Sequence, residues 1–356
     1  MSAQIVLAAS GLAVYAALFL AARSLPAAPA PARAGRSPFV ALPAAFLAAV
    51  ASLNYVVNPF GLFDTHVFEP IVLHSRAAKV KLYLGRQPRP QIVLLGSSPT
   101  FTMEPSYAAT RTGRPTFNAA VHGGTPRDFL ALTRLMLRSG PPPRVLIAAF
   151  RVEQFRPDTR VGFEPGDPLD FFVADDAAGV RRAAEEAETL LTLEQTEASL
   201  RLLSVELHGR PEPHYRFDPD GLGHFKSYSL DQALEDYLVE AAKPYHFRFP
   251  QLNAAQLQYT EQFFTLCRAN GIRVLAYVPP YHPRLTALWD AQTRLPELRE
   301  DLLAALRREQ ARGGVTVHDF TRLTSFGGGD RMFLDALHPS PEANRLILDV
   351  LLRDVS

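Results

Sequence analysis

Cysteine is almost absent. Cys267 is the only one in 356 residues, so no internal disulfide can form and no cysteine cluster can hold a metal. A charge imbalance is lacking too: Lys and Arg number 37 against 36 Asp and Glu, and a formal net charge of +1 offers no bulk attraction to polyanions. Nucleic acid is therefore excluded as an expected partner. There is no internal repeat and no G-x-S-x-G elbow, and the FGGGD segment at 326–330 lacks phosphate-loop spacing and reads as a loop.

What is present begins with an uncharged stretch at 4–22, QIVLAASGLAVYAALFLAA. At 1.5 Å per residue it suits a hydrocarbon layer of ~30 Å, and it is expected to be a transmembrane helix. A cleaved signal peptide is the competing reading, although no positive segment precedes Ile5. A Pro- and Ala-rich connection at 23–37 follows, carrying Arg23, Arg33 and Arg36 and no acid. A second uncharged stretch, 38–57, reads either as a second span or as an apolar helix packed on the domain that follows. With two spans, the positive loop stays in the cytoplasm. Residues 1–57 then form a membrane anchor in the inner or plasma membrane, and 58–356 lie on its periplasmic or extracellular side.

From Asn58 onward short apolar runs alternate with amphipathic stretches. The runs are 92–95, 145–149, 274–278 and 315–317, with a weaker one at 116–117. Helical spacing of apolar residues covers 126–137, 177–207, 230–242, 253–269 and 298–312. The alternation predicts an α/β domain with a parallel sheet covered on both faces. Residues 151–250 carry helix and loop signals without a convincing strand and are expected to form an insertion.

Chemistry in an open parallel sheet collects at the carboxyl ends of the strands, and three segments there bear reactive residues. In IVLLGSSPT, Gly96 permits a sharp turn that exposes Ser97 and Ser98; the alternative is a plain turn and helix N-cap. In FNAAVHGGTPRD, Asn118 is followed by Gly123 and Gly124, whose backbone N–H groups can approach a developing oxyanion, or which simply make a turn before Pro126. In FLDALHPSPEANRLI, Asp335 and His338 stand three apart before a helix marked by Ser340 and Pro341. A carboxylate on one imidazole nitrogen leaves the other free to take a proton from a serine, and a surface histidine is the plainer alternative. Tyr281 and His282 follow the run at 274–278 and read as a rigid Pro-rich loop or as acceptor-site residues. Arg76, Lys79, Lys81, Arg86 and Arg89 read as a solvated basic face, or as a patch for lipid head groups.

In this chain order the three segments resemble the SGNH/GDSL hydrolase superfamily. The resemblance runs from about Ile92 to the end, excluding the insertion, and implies a three-layer, flavodoxin-like sheet domain. Gly96–Ser98 stands where that family has G-D-S, so the resemblance makes Ser98 the nucleophile. Asn118 and Gly123 match N-x-x-x-x-G, which implies oxyanion donors at Ser98 and Gly123. Asp335 and His338 match D-x-x-H as the rest of a triad. The third block departs: where the family offers G-x-N-D, this chain has FRVEQF, and Asn118 is the residue left to compensate. A GSS variant behind a membrane anchor is similar to proteins of envelope glycan acylation, as in teichoic acid D-alanylation and alginate acetylation. The implied activity is that of a serine esterase or O-acyltransferase needing no cofactor and no metal. The implied partners are a glycan or lipid-linked acyl acceptor and a membrane-bound acyltransferase. The alternative is a catalytically silent scaffold or glycan-binding partner.

Overall fold

The computed structural model describes residues 38–59, 63, 65, 67–68, 75–157, 169, 190–209, 215–225, 229–243 and 247–355. The chain divides into two compact units. One comprises 1–73 with 179–212, the other 74–178 with 213–356. The stretch 151–250 is thus shared between them.

In the first unit the residues Pro38–Val57 form a helix. Its described side chains begin at Pro43, and the earlier expected span at 4–22 lies outside the described residues. Among the described residues no helix is long and apolar enough to cross a membrane. The last turns of this helix are packed against the helix Leu193–His208. Val57 and Leu202 are buried together with Phe68, and the Asn54 amide donates to the Leu190 carbonyl at 2.8 Å and to Thr196 Oγ1 at 2.9 Å. An amide inside an apolar contact fixes the register of the two helices because leaving it unpaired is costly.

The second unit is built on a five-stranded parallel sheet. Its strands are β1 (Ile92–Leu95), β2 (Thr116–Asn118), β3 (Val145–Ala149), β6 (Arg273–Val278) and β7 (Val315–Asp319), in the order β2-β1-β3-β6-β7. Counting only these strands the order is 2-1-3-4-5, the flavodoxin-like arrangement. Each lies where an apolar run predicts a strand. Alternate residues face opposite layers: Val93, Leu95, Leu146, Ala148, Val274 and Ala276 enter one core with the helices Pro126–Ser139, Ala254–Ala269 and Leu295–Ala311, whereas Ile92, Leu94, Ile147, Leu275 and Tyr277 enter another with Pro105–Thr112 and Pro341–Leu351. Burial on both faces is why the strands read as unbroken apolar runs.

A second, two-stranded sheet corrects the expectation of a strandless 151–250. Tyr215–Phe217 (β4) and Gly223–Phe225 (β5) pair antiparallel around the turn Asp218-Pro219-Asp220-Gly221. Three-residue strands carry too few side chains for a periodic signal, but Pro-Asp-Gly is the chemistry of a tight turn. Gly221 has φ +83°, and a Cβ there would lie 2.1 Å from the Asn118 carbonyl oxygen.

Candidate active site

The sheet delivers three loops to its carboxyl edge. After β1 the chain turns at Gly96, where a Cβ would meet Thr100 Oγ1 at 2.1 Å, and enters a 3-10 turn, Ser98–Thr100. Ser98 is half-buried at the start of that turn. Its Oγ lies 2.9 Å from His338 Nε2, and His338 Nδ1 lies 2.7 Å from Asp335 Oδ2. The other Asp335 oxygen accepts from the backbone N–H groups of Leu337 and His338 at 2.7 and 2.9 Å. Burial pushes the Asp335 carboxyl up. The hydrogen bond from the His338 ring, its charge and the two backbone donors outweigh that and hold Asp335 below the ordinary value.

The D-x-x-H segment is tied on several sides. Leu334 N–H donates to the His338 carbonyl at 2.8 Å, and His282 N–H donates to Ala336 at 3.0 Å. Asn344, from the last helix, donates to Pro99 O at 3.2 Å and to Thr102 Oγ1 at 2.8 Å, joining that helix to the serine turn. Side chains from sequence-distant loops are thereby held within hydrogen-bond reach of one another.

The folded-state value of Asp335 lies below its unfolded one, so between the two the native state binds fewer protons than the unfolded chain. Asp335 therefore stabilises the fold above the unfolded value, and that contribution is lost as pH falls through the folded one. Asp335→Asn is expected to flatten the acid limb of a plot of denaturant midpoint against pH. An acid limb identical to wild type would show that His338 does not hold the carboxylate.

After β2 the turn His122-Gly123-Gly124 faces the serine turn. Gly123 adopts φ +58°. Among the described residues neither the Ser98 nor the Gly123 N–H donates to a protein acceptor. Gly124 has a different part from the one expected. Its own N–H is given to Val121 O at 3.0 Å, and a Cβ at this position would sit 2.4 Å from the Gly96 carbonyl. Gly124 lets the two turns touch. The turn is anchored by His122 N–H on Ser75 Oγ at 2.7 Å and by a capping box, in which Asp128 accepts from Thr125 N–H at 2.8 Å and pairs with Arg76 at 2.5 Å.

Asn118 is not an oxyanion donor, which corrects the expectation that it compensates for the missing third-block amide. It is fully buried, and its Nδ2 donates to the carbonyls of Thr100, Phe101 and Met103 at 2.7, 3.2 and 2.9 Å, while Oδ1 accepts from Ala120 N–H at 3.0 Å. The N–H groups of the amide are spent on holding the serine loop against β2, and its oxygen on the turn that follows β2. The third loop does supply an amide, Gln154, which the sequence reading missed. It donates to Gly124 O at 2.8 Å and accepts from Arg151 N–H at 3.0 Å, so it supports the glycine turn from beneath.

The basic cluster is not a single solvated face: Lys81 is exposed, but three of its members are held by the fold. Arg76 pairs with Asp128, and Arg89 donates to the carbonyls of Tyr83 and Leu84 at 2.9 and 3.1 Å. Lys79 is fully buried. Its ammonium donates to Asn118 O at 2.8 Å and to Gly221 O, and lies 4.2 Å from the centre of the Phe217 ring. Burial pushes the Lys79 ammonium value well down, partly opposed by the charge of Asp220. Lys79 thus staples the β4–β5 hairpin to the end of β2. His282 is a helix cap: its Nδ1 accepts from Arg284 N–H at 3.2 Å, as expected for a rigid loop. Tyr281 is buried against Glu153, and the Arg151 guanidinium lies 4.6 Å from its ring.

No family model and no curated protein matches this chain. Among solved structures, one that is similar is that of a Bacteroides fragilis protein provisionally named an acylhydrolase. It is 11% identical, with a TM-score of 0.37, over 81% of this chain and 97% of that one.

Proposed function

We propose that this protein is a serine ester hydrolase or O-acyltransferase that works through an acyl-Ser98 intermediate. The observation that carries this reading is the line Ser98 Oγ, His338, Asp335, with contacts of 2.9 and 2.7 Å, beside the Ser98 and Gly123 N–H groups, which have no protein acceptor among the described residues. His338 takes the Ser98 proton as Oγ attacks an ester carbonyl, and Asp335 fixes the tautomer and stabilises the imidazolium. The Ser98 and Gly123 N–H groups stabilise the oxyanion. The imidazolium then protonates the leaving alcohol, and water or another hydroxyl releases the acyl group by the reverse steps. The resemblance of GSS, N-x-x-x-x-G and D-x-x-H to the SGNH/GDSL hydrolases supports the same reading. The uncharged stretch at 4–22 supports a membrane anchor ahead of the catalytic unit.

A serine-directed fluorophosphonate is expected to label the full chain once, at Ser98, as read by intact mass and peptide mapping. Folded protein that stays unlabelled and cleaves no activated ester would overturn the reading.

A further inference from the structure

The helix Ser75–Gly85 reaches the site through two residues one turn apart. Ser75 Oγ accepts the His122 N–H at 2.7 Å, and the Lys79 ammonium donates to Asn118 O at 2.8 Å, so the helix holds the segment after β2 at both ends. Lys79 also donates to Gly221 O in the β4–β5 turn, and its Nζ lies 4.2 Å from the centre of the Phe217 ring and 5.3 Å from that of Phe101. An ammonium has three N–H donors, which two carbonyl oxygens and an aromatic face match. An apolar side chain of the same length would fill the space and offer neither carbonyl a donor.

The hairpin held in this way carries a residue that touches the base. Phe225 of β5 stands 4.9 Å from the His338 ring, tilted at 53°, and stacks on Phe101 at 5.7 Å. Phe217 of β4 meets Phe101 edge-on at 5.1 Å. Lys79, Phe217, Phe101, Phe225 and His338 therefore form one continuous packed row. The hairpin is also a wall of a cleft of about 400 Å³ in whose lining Phe225 and His338 both stand. Its own strands are three residues each, too few to fix its place, so its position is set by what it docks on. Two backbone bonds contribute, Asn118 N–H to Asp220 O at 2.9 Å and Gly223 N–H to Phe101 O at 2.8 Å, and the ammonium supplies the bond at the turn. Gly221 makes that close approach possible, since a Cβ there would lie 2.1 Å from Asn118 O.

We propose that Lys79 is a positioning residue of the hydrolase site, whose ammonium clamps the β4–β5 hairpin to the end of β2 and thereby keeps Phe225 packed on His338. The proposal rests on the acyl-Ser98 reading. Lys79 touches no reacting atom. It acts through Phe225, which limits the swing of the imidazole between Ser98 and Asp335, and a base that strays from the nucleophile loses the alignment that proton transfer requires.

The test uses the full chain and p-nitrophenyl acetate, at a temperature well below each unfolding midpoint, and compares wild type with Lys79→Met, Phe225→Leu and the double variant. Each single substitution is expected to lower kcat/KM about tenfold, a fraction of what misplacing a reacting group can cost. The double variant is expected to be no lower than the worse single one, because both remove the same contact. In spectra of carbon-labelled histidine the His338 Cε1–H resonance, assigned by its loss in His338→Gln, is expected to move in the same direction in both single variants as the Phe225 ring leaves it. Gly221→Ala pushes the turn off Asn118 O without altering Lys79 and should reproduce the fall and the shift; where Lys79→Met does not fold, an unchanged kcat/KM in Gly221→Ala would overturn the proposal. An unchanged kcat/KM in a Lys79→Met protein that is merely less stable, or losses that multiply in the double variant, would overturn it too. Wild-type protein that no ester acylates would remove the hydrolase reading, and the His338 resonance would still show whether Lys79 holds Phe225 in place.

Discussion

Ser98→Ala is expected to lower the turnover of an activated ester by about four orders of magnitude while leaving the fold intact, because the triad acts as a unit and only the backbone donors would remain. The hydroxyl is half-buried and its one described side-chain contact is His338, so its removal opens no sizeable cavity and strands no buried group. The measurement is kcat for p-nitrophenyl acetate, alongside a denaturation curve to confirm that stability is unchanged. His338→Ala should fall to a similar level, and the Ser98, His338 double variant should be no worse than either single one. A fall of less than about tenfold in Ser98→Ala, beyond what hydrolysis by contaminants explains, would mean that another group performs the chemistry.

Asn118→Ala is expected to cost about 2–4 kcal/mol of stability, and to reduce activity even below its melting transition. The loss follows from bookkeeping of donors and acceptors in a site with no exposure to water. Thr100 O retains a bond from Met103 N–H, and Phe101 O retains one from Gly223 N–H, but the Met103 carbonyl and the Ala120 N–H lose the partner described for each. The serine turn would no longer be tied to β2, so the spacing of Ser98 from Gly123 would loosen. A shift in denaturant midpoint and a fall in kcat measured well below it check the two effects separately. Unchanged stability would show that the amide network is dispensable. Unchanged kcat in a destabilised variant would show that the turn keeps its shape without it.

The strands and the three reactive segments were readable from the chain because their signals are local. A run such as Ile92–Leu95 is apolar at every position since both faces of the sheet are covered, and Gly96 follows because the turn has no room for a Cβ. Asp335 and His338 are three residues apart, and that spacing alone brings carboxylate and imidazole within reach in a loop. The β4–β5 hairpin escaped because its strands are three residues long, and its place beside the site rests on distant contacts: Asp220 O with Asn118 N–H at 2.9 Å, and Phe101 O with Gly223 N–H at 2.8 Å.

Lys79 shows the same limit. A lysine among Arg76, Lys81 and Arg86 reads as surface charge, since ammonium groups are costly to bury. In the fold it is enclosed between carbonyls 39 and 142 residues away and an aromatic ring, a set of partners that no window of sequence contains. Asn118 departs from its expected assignment, and Gln154 takes an unexpected supporting part, for a related reason. The residue type fixes what an amide can donate and accept, but not which partners reach it first.

What the sequence by itself determined is the chemistry available at the edge of a parallel sheet: two serines after β1, glycines after β2, and a D-x-x-H pair before the last helix. These follow from residue type and short spacing. What only the tertiary structure decided is how each polar group is used. It left the Ser98 and Gly123 N–H groups without a protein acceptor among the described residues, committed the Asn118 amide donors to the serine loop, and brought the hairpin beside His338 to form the cleft. The reason is physical. Hydrogen bonds and burial are contests among all the groups that folding brings together, and their outcome is set by three-dimensional proximity rather than by position along the chain.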